Sequence, residues 1–262
     1  MREFIRRFWK RLMNHQFTFE QLVQRDFKQK YTRTVLGMLW SILNPVLSLL
    51  VMRLVFTQFF GRTTSHYTTY MFAGNVIFNF YREVTSGDML ALVNNAGIIT
   101  KVPVPKYLFV LSKSVSAIIN FGLTLIVFFL FAALDGVAIT WKFFLLIYPV
   151  LTMIVFSVGV GMTLSALYVF FRDLGYLYDI FTMLLMYLSA IFYQVDTFSL
   201  KIQKLFLLNP VYAHIRYFRR IVLDGVIPSV QYHLLLLLYS VFFIVIGALV
   251  YKSQSKRFLY FL

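Results

Sequence analysis

Hydrophobic and polar positions in this chain come in long blocks. Residues 1–34 are polar and basic, ending in Arg25, Lys28, Lys30 and Arg33, and the next 18 residues, Val35 to Met52, carry no charge. Such a run crosses a membrane, since about 20 residues rising about 1.5 Å each span a hydrocarbon core about 30 Å thick. The block pattern repeats and predicts an all-α membrane protein with six transmembrane helices at about 35–58, 70–92, 107–134, 143–170, 175–195 and 232–250.

Finer periodicity marks further features. Phe19, Val23 and Phe27 recur every fourth residue beside Leu22, with Arg25, Lys28 and Gln29 on other faces. This predicts an amphipathic helix over about 17–30, capped by the Thr18 and Gln21 spacing, that lies in the membrane interface, packs on a partner protein, or both. Asn44-Pro45 falls mid-span, where the missing amide kinks or loosens a helix. The second span carries Arg82, Glu83 and Asp88, which must face protein or water; pairing among them and a place on a transport path are both open. Ser112, Ser116, Asn120 and Thr124 form one polar stripe, and Ser157, Gly161 and Ser165 one small-residue stripe suited to close helix approach. Residues 196–230 hold apolar pieces too short to cross and read as two short helices, broken at Asn209-Pro210, that dip into the outer leaflet or the dimer centre. The chain thus divides into a polar N-terminal segment (1–34), a membrane domain (35–251) and a short tail (252–262).

Composition agrees. The chain is 60% hydrophobic and 13% charged, with a mean hydropathy of +0.76, more apolar surface than a soluble domain of this size buries. A net charge of +15 would suggest nucleic acid in a soluble protein, but here the cations flank apolar spans, where anionic lipid and orientation account for them. Of the Lys and Arg residues, fifteen fall in the segments expected inside the cell and seven in those expected outside. Both termini are therefore placed in the cytoplasm. Five of the outer seven, Lys201, Lys204, Arg216, Arg219 and Arg220, crowd into residues 196–230 and run against that rule. No short apolar leader with a cleavage site precedes the first span, and no cleavable signal is expected. There is no cysteine, no GxxxxGK(S/T) phosphate loop and no HExxH, and the four histidines are scattered. Enzymatic chemistry and a metal site are not expected, and movement of a substrate must draw on an ion gradient or a separate ATPase. The internal repeats and midplane acids of ion-coupled carriers are not evident.

The stretches QRDFKQKYTRTVLGMLWSILNPVL, ALVNNAGIITKVPVPKYLFVLS and VGVGMTLSALYVFFRDL resemble the ABC type-2 permease family that exports polysaccharides such as O-antigen, capsule and teichoic acid. The resemblance covers about residues 17–251. It implies a homodimer of permeases joined to two ATP-binding subunits, which would hold ATP and Mg, in a bacterial plasma membrane. The loop of Asn95, Gly97, Lys101 and Pro103 would be the coupling element, and the helix at about 17–30 would also touch the ATPase. Short helices over about 198–226, with Lys201, Arg216 and Arg219, would form an outer gate. The implied substrate is a glycan on undecaprenyl pyrophosphate, with Arg25, Lys28 and Arg33 as candidates for the pyrophosphate or for anionic lipid. Aromatic rings give sugars flat sliding surfaces, which makes Phe72, Phe80, Tyr176, Phe181, Tyr187 and Tyr193 candidates for a channel wall; each is also an ordinary core or lipid-facing aromatic. Two rival readings are a type-2 exporter of a smaller lipid or drug and an ATP-independent lipid-glycan flippase. In this cysteine-free chain, Lys201→Cys is expected to react with a membrane-impermeant thiol reagent applied from outside; labelling from inside alone would overturn the topology.

Overall fold

The computed structural model describes residues 15–31, 34–59, 66–255 and 257–261, and these form helices and turns with no strand. Arg33 and Arg62 lie outside the described residues. Helix α1 (Gln16–Tyr31) begins two residues before the expected cap, and the His15 carbonyl accepts from the Phe19 amide. Thr18 is therefore inside the helix, where its neighbours' amides already bond along the ladder, and the Thr18–Gln21 cap does not form. A 3-10 turn, Gly37–Leu39, leads into α2 (Trp40–Phe59), which continues through Pro45 without a break.

Helix α3 (Tyr67–Asn94) is the centre of the molecule, with 18 of its 28 residues buried. A four-residue helix, α4 (Ala96–Ile99), follows. Helix α5 (Tyr107–Leu134) matches its predicted span. A 3-10 segment, Trp141–Leu146, runs into α6 (Ile147–Tyr168), then come α7 (Leu174–Leu188), α8 (Leu200–Phe206), α9 (Pro210–Val222), α10 (Val230–Gln254) and the short α11 (Phe258–Phe261). Among the described residues three helical stretches, Tyr107–Leu134, Trp141–Tyr168 and Val230–Gln254, are long and apolar enough to cross a membrane, and Trp40–Val55 and Leu174–Leu188 are shorter apolar helices. Helix α3 has the length, but Arg82, Glu83 and Asp88 interrupt its apolar character.

Helix α7 stops seven residues before the predicted end of the fifth span. Ser189 turns its hydroxyl back onto the Leu185 carbonyl, and Ala190 takes φ 49, a left-handed conformation that a helix cannot continue through. The chain then runs irregularly through Ala190 and Ile191, both fully buried. The break at Asn209-Pro210 forms as predicted. Pro210 is the first residue of α9, and the Asn209 side chain caps it by accepting from the amides of Val211 and Tyr212. Helix α9 is not a surface helix dipping into lipid, because ten of its 13 residues are buried among α3, the Trp141–Leu146 segment, α6 and α10.

Two main apolar cores result, with a small third cluster of Ala190, Val195 and Tyr212 beside the start of α9. The larger joins α3, α5, α6, α9 and α10, with Phe72, Phe128 and Phe218 at its centre. The smaller sits at the α4 end of the bundle and gathers Leu22 of α1, Ile99 of α4, Leu108 of α5, Ala166 of α6, Tyr251 of α10 and Phe258 of α11. The small residues of α6 serve two neighbours. Gly161 lies where a Cβ would strike the Asp88 carboxylate, and a Cβ on Gly159 would come within 2.5 Å of the Phe243 and Ile244 backbone. Across that contact, a Cβ on Gly247 would strike the Gly159 carbonyl. Helices α6 and α10 therefore touch backbone to backbone, close packing that gives association in lipid, where burial of apolar surface contributes little. Gly247→Val is expected to lower stability by about 1–3 kcal/mol through overpacking, read as a drop in the thermal unfolding midpoint in detergent; an unchanged midpoint would contradict this contact.

Candidate functional site

A cavity of about 1050 Å³ opens between α2, α3, α5 and α7. Helix α3 lines it with Asn75, Asn79, Arg82, Glu83 and Ser86, which fall on one face because their spacings are three and four. Ser41, Asn44 and Ser48 of α2 and Asn120 and Thr124 of α5 face them, and α7 contributes Asp179 and Thr182. A wall of amides and hydroxyls at the depth of apolar helices is costly in lipid and needs water or a polar occupant. The predicted stripe on α5 divides accordingly: Asn120 and Thr124 reach this cavity, while Ser112 and Ser116 are buried toward the α4 end.

Glu83 organises the mouth of the cavity. Its carboxylate accepts from Lys30 at 2.7 Å and from the Asn120 amide at 2.9 Å. Of the charges predicted to pair within the second span, Glu83 pairs with Lys30 of α1. Arg82 stays exposed and Asp88 is fully buried, accepting from Ser114 at 2.7 Å. Lys30 and Glu83 also line a second cavity of about 660 Å³, whose other walls include Asn94, Asn95 and Ile98. The pair stands where the two spaces meet.

A buried carboxylate secures α1. Asp26 accepts from Arg25 at 2.8 Å and from the Ser112 hydroxyl at 2.8 Å, and Lys113 lies 3.1 Å away. Asp26 follows Leu22 by four residues on the face turned to the protein. An acid on the apolar face of an amphipathic helix was the available signal for this anchor, and the sequence reading did not use it. Arg25 is therefore engaged by Asp26, Lys28 is exposed on α1, and Arg33 lies outside the described residues.

In the loop predicted to couple, Asn95 is buried and donates to the Ala91 carbonyl at 2.7 Å. Gly97 has open space beside it, and Lys101 and Pro103 are exposed. Lys106 ties this loop to the end of α10 by donating to the Ser255 carbonyl at 2.8 Å, and burial pulls its pKa below that of a free lysine.

The six candidate aromatics do not share a wall. Phe72 and Phe80 touch the cavity edge but are core residues, with Phe80 stacked on Phe121 at 4.2 Å and both rings almost fully covered. On α7 the cavity face is Asp179, Thr182, Met183 and Met186. Tyr176 and Tyr187 are exposed elsewhere, and Phe181 lines an apolar groove with Tyr178 and Phe243. Tyr193 packs against Phe198 and Phe206. Two of the candidate aromatics, Phe72 and Phe80, line the polar cavity together with residues the sequence analysis does not single out, Asn75, Asn79 and Asp179. The i, i+4, i+8 spacing of Asn75, Asn79 and Glu83 was the signal on α3.

At the far end of the bundle the three candidate gate cations differ. Lys201 is exposed. Arg216 pairs with Asp196 at 3.1 Å. Arg219, read as an outer cation, is only 5% exposed: it donates to the carbonyls of Tyr70 at 3.0 Å, Ala190 at 2.8 Å and Ile191 at 3.0 Å, and covers the Tyr70 ring at 3.5 Å. It is an internal clamp because the chain end beyond α7 presents carbonyls that no helix satisfies.

The profile of the family described as "ABC-2 type transporter" matches residues 18–223. The chain is similar to an O-antigen export system permease protein RfbA of Klebsiella pneumoniae, 26% identical over 251 residues, covering 92% of this chain and 95% of that one. A protein of the same name in Myxococcus xanthus is 26% identical over 239 residues, covering 90% and 92%. Asp26→Ala is expected to destabilise the chain by about 1–3 kcal/mol and Arg219→Met by about 2–4 kcal/mol, since each strands buried polar partners. Both are read as falls in the thermal midpoint; a neutral Arg219→Met would contradict the clamp.

Proposed function

The chain belongs to the ABC-2 type transporter family, and we propose that it is the membrane subunit of an ATP-driven exporter passing a lipid-linked polysaccharide out of a bacterial cell. In this reading two copies pair with two ATP-binding subunits, which carry ATP and Mg, and six segments cross the plasma membrane with both termini in the cytoplasm. The crossings would be α2, α3, α5, the Trp141–Tyr168 stretch, α7 with the buried chain after it, and α10. Helix α4 and the exposed Gly97, Lys101 and Pro103 would receive the ATPase. Helices α8 and α9 would border the exit.

The observation that carries this reading is the cavity of about 1050 Å³ lined by Asn75, Asn79, Asn120 and Thr124. Sugar hydroxyls exchange hydrogen bonds readily with amides and hydroxyls, each worth about 1 kcal/mol net, so a polymer is held at many points and released at each. An apolar drug or lipid tail gains nothing from such a wall. The names of the relatives point the same way. The aromatic candidates Tyr176 and Tyr187 would meet the glycan only at a surface shared with a second copy. Deleting the chain is expected to leave polymer inside the cell. Wild type should restore export, and Asn79→Leu, at an exposed cavity position, should restore about tenfold less, roughly one or two hydrogen bonds to the moving chain. Polymer reaching the surface without this chain, or without any ATP-binding partner, would sink the proposal.

A further inference from the structure

Opposite α4, a pocket of about 390 Å³ lies between the start of α3, the chain after α7, and α9. That volume is in the lower range of small-molecule sites, enough for about one or two sugar rings. Three arginines reach it, Arg216, Arg219 and Arg220, brought to one side of α9 by spacings of three and four. Two are already engaged. Arg219 is wrapped by three carbonyls, and Arg216 is paired with Asp196.

Four other groups that line the pocket make no side-chain hydrogen bond among the described residues: the Gln194 amide, the Tyr212 hydroxyl, the Arg220 guanidinium and the Asp224 carboxylate. Tyr212 is packed edge-on against Phe206 and 3% exposed, so its ring is fixed and its hydroxyl serves the pocket. Burial pushes that phenol up to about 12, which keeps the proton on it at neutral pH. Asp224 is exposed at the rim of the pocket; partial burial raises its carboxyl above the usual carboxylate range, with Arg220 and Arg216 pulling the other way.

The inventory selects the ligand. Donors without acceptors would suit an anion, but here two carboxylates, Asp196 and Asp224, stand beside the arginines and repel one. A lipid tail has no use for a lining this polar. A ring carrying neighbouring hydroxyls needs donors and acceptors side by side, because each hydroxyl gives one hydrogen bond and accepts others.

We propose that this pocket is a subsite for a single pyranose unit of the emerging glycan, with Arg220 and Gln194 donating to ring hydroxyls, Asp224 accepting from them and Tyr212 able to do either. It rests on the reading of the chain as a glycan exporter and adds an exit-side contact within one protomer. A weak site at the exit would hold each unit briefly and disfavour backsliding.

The test uses the full chain purified with its ATP-binding partner and ligand-observed saturation-transfer NMR. The probes are the methyl glycosides of glucose, galactose, mannose and rhamnose, with inorganic phosphate as competitor. At least one glycoside should take up saturation. Tyr212→Phe and Asp224→Asn should each weaken its binding about five- to tenfold, the loss of one hydrogen bond. Tyr212→Phe should leave the thermal midpoint unchanged, since that hydroxyl makes no hydrogen bond among the described residues. Absence of saturation on every glycoside, equal binding by the variants, or displacement by phosphate would overturn the subsite. Surface polymer followed in matching strains separates the two ideas. Export that needs the chain while no glycoside binds sinks the subsite alone, and export that does not need the chain sinks the exporter reading.

Discussion

Helix α3, packed among long apolar helices, carries Arg82, Glu83 and Asp88, and the arrangement of the helices around it follows from giving these charges polar partners or a polar space. Glu83 and Asp88 are five residues apart, which at about 100° per residue sets them roughly 140° apart around α3. Asp88 therefore points into the dry side, against Ser114 of α5 and the bare backbone at Gly161 of α6. Glu83 points into the polar side, toward Asn120 and Lys30. One helix thus separates a sealed core from a polar cavity. The missing side chain at Gly161 is what lets a carboxylate fit between two helices at all.

The two ends of the bundle are secured by buried charge in opposite ways. At the α4 end the charge is the carboxylate of Asp26, held by cations and a hydroxyl. At the other end it is the guanidinium of Arg219, held by carbonyls left over where α7 stops. In each case the buried ion is saturated with partners, the condition under which burying it does not carry a large penalty. The Arg219 clamp also bears on the charge count across the membrane. Arg219 and Arg216 are consumed by contacts within the protein, which accounts for two of the five cations that run against the orientation rule.

The loop that carries α4 is tied firmly on one side and weakly on the other. Ile99 shares an apolar cluster with α1, α5, α6 and α10, and Lys106 holds the end of α10. Helix α4 is thereby joined to the ends of four helices at once. Across the adjoining cavity α1 meets α3 through the partly exposed Lys30–Glu83 pair, and pairs of this kind contribute about 1 kcal/mol or less. The mouth of the polar cavity is the weakly tied part of this end.

The order and boundaries of most elements could be read from local signals. The run of apolar residues set α5, Asn209-Pro210 set the start of α9, and the charge-free block after residue 34 set the region of α2. The early end of α7 was not legible, because it depends on Ala190 and on an arginine about thirty residues later. Nor were the inward faces. In a soluble helix the apolar stripe marks the core, but here lipid and core are both apolar, and the stripe carries little information. What the chain alone could indicate was polarity out of place: the acids of α3, the hydroxyls of α5 and Asp26 on an apolar face. Which of these meet a partner and which meet open space was decided by helix packing, since a hydrogen bond or a cavity needs two or more helices brought to the same depth.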